Sequence, residues 1–97
     1  MRVTISKPDR INPITSRIEN RTGHSISWTA MLFDSNGAVV SQNSGSISGA
    51  AGQETAGYAE IDTLLIPQTY RLAIKVLDRV TGWSTEHEAY LDIPPPM

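Results

Sequence analysis

In Thr69-Tyr70-Arg71-Leu72-Ala73-Ile74-Lys75-Val76-Leu77-Asp78, the large side chains Tyr70, Leu72, Ile74 and Val76 fall at every second position. Arg71, Ala73 and Lys75 fall between them. Successive side chains of an extended strand point to opposite faces, so this spacing gathers one apolar face and one mixed face. Wound as a helix, the same four residues would be scattered around the axis.

The neighbouring segments repeat the pattern. Val80-Thr81-Gly82 turns the chain, and Trp83–Ile93 returns as a last strand with Trp83, Thr85, His87, Ala89, Leu91 and Ile93 on one side. Glu86, Glu88 and Asp92 lie opposite. Upstream, Pro67-Gln68 makes a corner, preceded by an expected fifth strand over Tyr58–Leu65. Ser25–Asp34 places Ile26, Trp28, Ala30 and Leu32 on one face, and Ser27, Thr29, Met31 and Phe33 on the other. Asp34-Ser35-Asn36-Gly37 is a hairpin signal, because Asn-Gly tolerates the positive φ of tight turns, and Ala38–Gln42 is the returning strand. Arg2–Ser6 and Ile14–Glu19 supply the first two strands, separated by Lys7-Pro8-Asp9 and Asn12-Pro13. Asn43–Gly57 holds four Gly, three Ser and three Ala, with Ile47 its one large apolar residue. So little burial predicts a mobile loop or weak edge segment there.

The sum is an all-β, antiparallel sandwich of about seven strands over residues 1–93, followed by a proline-rich stub at 94–97. A chain of 97 residues holds one such domain and not two. Hydrophobic residues are 39% and charged residues 19%, too apolar for disorder. The longest apolar runs, Ala30–Phe33 and Leu64–Pro67, fall far short of the roughly 18 residues of a spanning helix. The N-terminal residues lack the apolar core of a signal peptide, and a start at Met1 favours synthesis without export. Cysteine is absent, which removes disulfides and thiolate chemistry. The net charge of −2 and the scattered Lys and Arg give no footprint for nucleic acid or for a membrane surface.

Ile66-Pro67-Gln68-Thr69-Tyr70 through Asp78, followed by Thr81-Gly82, resembles the closing hairpin of prokaryotic and phage immunoglobulin-like (fibronectin-III-like) domains. The resemblance implies an immunoglobulin-like sandwich in which Tyr70 forms a tyrosine corner and Trp28 is the buried core anchor. The cysteine pair of antibody domains is absent. Adhesion, spacing, particle decoration and carbohydrate or protein binding all occur on such scaffolds, so the resemblance implies a scaffold and not a chemistry.

The residues offer no catalytic set. His87 sits between Glu86 and Glu88, but in a strand both glutamates point away from it. His24 belongs to the turn beside Gly23. No serine has a nucleophile-elbow context, and Ser46 lies in the Gly-rich segment, a poor place to hold a nucleophile. Asp34, Asn36, Glu60 and Asp62 have the oxygen chemistry calcium needs but not the spacing of a calcium loop. The Gly-rich segment lacks the ending of a phosphate loop, and Asn20-Arg21-Thr22 matches a glycosylation sequon. No catalytic residue, cofactor or metal is expected. Met31, Phe33, Val39 and Trp83 are the candidate protein interface: with Met31 and Phe33 facing outward they join an exposed apolar patch, and otherwise they cap the ends of the sandwich core. The expected role is a non-enzymatic structural or protein-interaction module: a virion decoration or accessory protein, or a spacer domain, with a protein partner or self-assembly. A carbohydrate-binding module resting on Tyr58, Tyr90 and Trp83 is the alternative, and a small hydrolase or inhibitor fits the residues less well.

Overall fold

The computed structural model describes residues 2–8, 10–11 and 13–95. Eight strand segments form two antiparallel sheets packed face to face, without a helix among the described residues. In the first sheet β3 (Ile14–Asn20) is central, and β6 (Thr55–Ile61) pairs along one side of it. The other side is shared by β1 (Val3–Ile5) and β2 (Arg10–Ile11). These two are halves of one edge strand, broken where Pro8 cannot donate to the ladder. Counted so, the molecule is a seven-stranded β-sandwich. The second sheet runs β5-β4-β7-β8, from β4 (Ile26–Phe33), β5 (Val39–Ile47), β7 (Thr69–Asp78) and β8 (Ser84–Asp92).

The period of two sets what is buried. Ile26, Trp28, Ala30 and Leu32 of β4 and Tyr70, Leu72, Ile74 and Val76 of β7 are all buried, and they meet Ile14 and Ile18 of β3 and Ile61 of β6. A one-residue slip in any of these strands would exchange core for solvent, so burial fixes the register.

Three expectations change. Of the two readings of Asn43–Gly57 the edge segment holds and the loop does not: β5, an edge strand, continues to Ile47 and β6 begins at Thr55, leaving a short connection between them. Two of its glycines, Gly45 and Gly57, serve close packing. Gly45 pairs with Trp28, and a Cβ on Gly45 would lie 2.7 Å from the indole Cζ2. A Cβ on Gly57 would lie 2.9 Å from Ile47 Cγ1. The fifth strand is Thr55–Ile61 rather than Tyr58–Leu65. After Ile61 the chain leaves the sheet, with Leu64 91% exposed and Leu65 packed back on the core. The short segment β2 was not expected at all. Of the proline stub, Pro94 and Pro95 are exposed, while Pro96 and Met97 lie outside the described residues.

Tyr70 is buried at 2% exposure, and its hydroxyl accepts a hydrogen bond from the Ile66 N–H at 3.0 Å and one from Gln68 Nε2 at 3.2 Å. The ring thereby ties the corner before β7 to the core. Two substitutions test this packing by urea denaturation. Tyr70→Phe leaves the Ile66 N–H without its acceptor and should lower stability by about 1–3 kcal/mol. Gly45→Ala drives a methyl into the Trp28 ring and should cost about 1–3 kcal/mol, a cost that Trp28→Leu in the same chain partly relieves. A neutral Gly45→Ala would remove the packing explanation of the small residues in β5.

Candidate interaction surface

The outer face of the four-stranded sheet is built by the residues that alternate with the core. Cross-strand pairing aligns them in rows. Val39, Phe33, Arg71 and Tyr90 form one row across β5, β4, β7 and β8. Gln42, Met31, Ala73 and Glu88 form the next, and Ser44, Thr29, Lys75 and Glu86 the third. The register shift between Leu32 and Phe33 bulges β5 at this end and leaves Val39 47% and Val40 42% exposed. Arg71 organises the middle. Its guanidinium lies 4.1 Å from the centre of the Phe33 ring and donates to Glu88 Oε1 at 3.0 Å. A shallow groove of about 340 Å³ runs between Met31 and Phe33 on one side and Glu86 and Glu88 on the other. Its centre is apolar and aromatic and its rim charged, with Arg and Met present, a composition enriched at protein interfaces.

Met31, Phe33 and Val39 thus come together. Trp83 does not join them. It precedes β8 on the core side, is half-buried against the core, and has the Arg2 guanidinium 5.6 Å from its ring centre. Arg71 and Tyr90 complete the surface instead. Their place in it depends on the β7–β8 register, which residue spacing alone does not reveal.

At the far end of the sandwich sits a polar cluster. Asn20, buried on β3, donates through Nδ2 to the His24 carbonyl at 2.9 Å. Its Oδ1 accepts from the Thr22 N–H and hydroxyl. The sequon asparagine is therefore occupied inside the fold. His24 Nδ1 lies 3.0 Å from Oδ2 of Asp78, a buried carboxylate whose Oδ1 accepts from the Val80 and Thr81 N–H groups. The partners are 54 residues apart, so no local motif announces them. The His24 hydrogen bond, followed by those two N–H groups and opposed by burial, holds the Asp78 carboxyl at about 2 against its ordinary 3.8.

The remaining candidates stay apart. Asp34 Oδ1 accepts from the Asn36 and Ala38 N–H groups, closing the hairpin turn at Gly37 with φ +85°. Among the described residues no three His, Cys, Asp or Glu side chains converge as metal ligands. His87 pairs with Ile74 and turns to the core, where its Nε2 is buried without a hydrogen-bond partner, and Ser46 is exposed on β5. Tyr58 is exposed on the outer face of the other sheet, so Tyr58, Tyr90 and Trp83 form no common platform.

The Asp78 geometry predicts a pH dependence. Its folded value lies below its unfolded one, so the unfolded chain binds more protons between about pH 2 and 4. Stability contributed by Asp78 is present above that window and lost as the pH falls through it. Asp78→Asn should therefore flatten the pH dependence of the urea midpoint between pH 4 and 2. An unchanged slope would rule out the linkage.

No family model matches the chain, and no curated protein matches it. Among solved structures the chain is similar to the β-glucuronidase of Bacteroides uniformis, with a TM-score of 0.62 at 16% sequence identity. The likeness covers 93% of this chain and 12% of that one, and at this identity it concerns the fold: a β-sandwich that there forms one part of a much longer protein.

Proposed function

We propose that the chain is a non-enzymatic immunoglobulin-like (fibronectin-III-like) module that binds protein through the outer face of its four-stranded sheet. The carrying observation is the alignment of Val39, Phe33, Arg71 and Tyr90 in one outward-facing row beside Met31, with Val39 and Tyr90 exposed at its ends. Arg and Tyr are among the residue types that dominate binding energy at interfaces.

The course of the chain supports a place within a larger assembly, as a spacer or as a decorating unit on a particle. β1 starts beside Asn20, at the end of the sandwich where Arg2 reaches Trp83. β8 finishes beside Thr69, at the opposite end. Chain entry and exit at opposite ends suit units joined in series. The similar segment of the β-glucuronidase, a sandwich inside a longer chain, is compatible with that use.

A carbohydrate-binding module is the second reading. It rests on Tyr90, which is 70% exposed on the same face. It lacks a second ring beside Tyr90 free to stack, since Phe33 is covered by Arg71. The inhibitor reading needs Asn43–Gly57 as a presented loop, and most of that segment lies in β5 and β6.

Placing a photo-crosslinking phenylalanine analogue at position 31 or 39 tests the proposal. In lysate of the source organism it should capture a defined protein that the same analogue at position 58, on the opposite outer face, does not. Equal capture from both faces, or none from positions 31 and 39, would overturn it.

A further inference from the structure

We propose that β8 is a docking edge, and that an extended segment of a partner protein, with Lys or Arg at alternate positions, pairs with it as a fifth strand of the sheet. This rests on the reading of the chain as a protein-binding module and names the chemistry of one partner.

The edges of the sandwich are not alike. The β1/β2 edge is short and broken at Pro8. β5 and β6 lie on a common side and are stitched together: Asn43 Nδ2 donates to the Glu60 carbonyl at 2.7 Å, and Thr55 Oγ1 to the Ser48 carbonyl at 2.6 Å. β5 is also bulged. β8 has none of these protections. It runs for nine residues in unbroken register with β7, its one strand partner among the described residues, and contains neither Pro nor Gly. Long regular edges of this kind are ready templates for another strand.

The direction of its free backbone groups follows from the ladder. The Asp78 N–H donates to the Trp83 carbonyl at one end, and the Ile93 N–H to the Gln68 carbonyl at the other. In an antiparallel pair, hydrogen-bonded residues recur at every second position. The odd-numbered residues from 83 to 93 therefore bond to β7. The N–H and C=O groups of Ser84, Glu86, Glu88, Tyr90 and Asp92 point away from it. These same residues carry their side chains on the outer face, so backbone valence and acidic charge coincide.

That charge selects the partner. Glu86, Glu88 and Asp92 are acidic, and β8 contains no Lys or Arg. Arg71 holds Glu88, whereas Glu86 has no ion pair among the described residues. A second copy of this chain is a poor occupant. In any two-fold register that pairs most of the five edge residues, a carboxylate falls opposite a carboxylate, as Glu86 on Glu88, Glu88 on itself, or Glu86 on Asp92. Like charges directly opposite destabilise a strand pair, whereas opposite charges stabilise it. The core side asks for apolar residues between the basic ones. Thr85, His87, Ala89 and Leu91 are only half covered, unlike their fully buried neighbours on β7, and a further strand would cover them.

The probe is an acetylated, amidated peptide of alternating Lys and Val, with a Glu/Val peptide as its control. Binding is read by amide hydrogen exchange, residue by residue. At saturation the Lys/Val peptide should slow exchange at residues 84, 86, 88, 90 and 92 by about tenfold or more, leave Val39–Ile47 unchanged, and weaken as salt is raised. The Glu/Val peptide should have no effect. Glu88→Pro removes one edge-facing N–H while leaving the β7 ladder intact, so it should fold with unchanged circular dichroism and lose the protection. The double variant Glu86→Lys, Glu88→Lys should reverse the preference toward the Glu/Val peptide. Absence of protection at these five amides, equal protection by both peptides, or a dimer that protects them without peptide would overturn the proposal. The crosslinks from positions 31 and 39 report on the sheet face and the exchange reports on its edge, so each can fail while the other stands.

Discussion

The sandwich depends on one unequal pairing, the indole of Trp28 laid over Gly45. Trp28 is the largest side chain in the core, and its strand neighbour has no side chain at all. The ring takes the volume that a residue at position 45 would have filled. The same device recurs one layer along, where Ile47 occupies the space above Gly57. Truncating a buried Trp typically costs about 3–5 kcal/mol, a large part of the stability of a domain this size. Without a disulfide, the distance between the sheets is set by how such large and empty positions interlock.

From that packing follows the treatment of the edges. Gly45 in β5 and Gly57 in β6 leave room for Trp28 and Ile47 on one side, where Asn43 and Thr55 bridge the two sheets with hydrogen bonds. That side is closed. On the opposite side a broken β1/β2 edge faces an unbroken β8, and the core residues of β8 stay half covered. The molecule is thus asymmetric across its width, and its outward-facing row from Val39 to Tyr90 ends on the open side. The face and the edge adjoin at Tyr90.

What the sequence made legible was whatever depends on the period of two. The β4 and β7 cores, the polar-to-apolar change along the outer face of β4, and the β7–β8 hairpin all follow from alternation within one segment. Three things did not. Glycine in Asn43–Gly57 reads as flexibility when its partner is unknown and as close packing once Trp28 is opposite. The row of Phe33, Arg71 and Tyr90 depends on registers between strands, and nothing local distinguishes Arg71 over Phe33 from Lys75 over Thr29. Trp83 joins the core because its parity along β8 continues that of Thr85 and His87.

The two ends of the sandwich are closed by different means, and the difference bears on where the molecule can give way. At the corner before β7, a neutral hydroxyl, Tyr70 Oη, accepts from the backbone. At the other end, Asn20, Thr22, His24 and Asp78 bind the β3–β4 turn to the β7–β8 turn through a carboxylate. A neutral hydrogen bond in a buried corner is insensitive to acid, whereas a carboxylate held by an imidazole and two N–H groups is not. The same carboxylate fixes the turn from which β8 departs. Acid protonation would therefore loosen the start of β8 while leaving its finish, near Thr69 and Gln68, anchored by the Ile93 N–H and the Tyr70 corner. Fraying would begin at Ser84 and progress toward Tyr90, along a strand whose one strand partner among the described residues is β7.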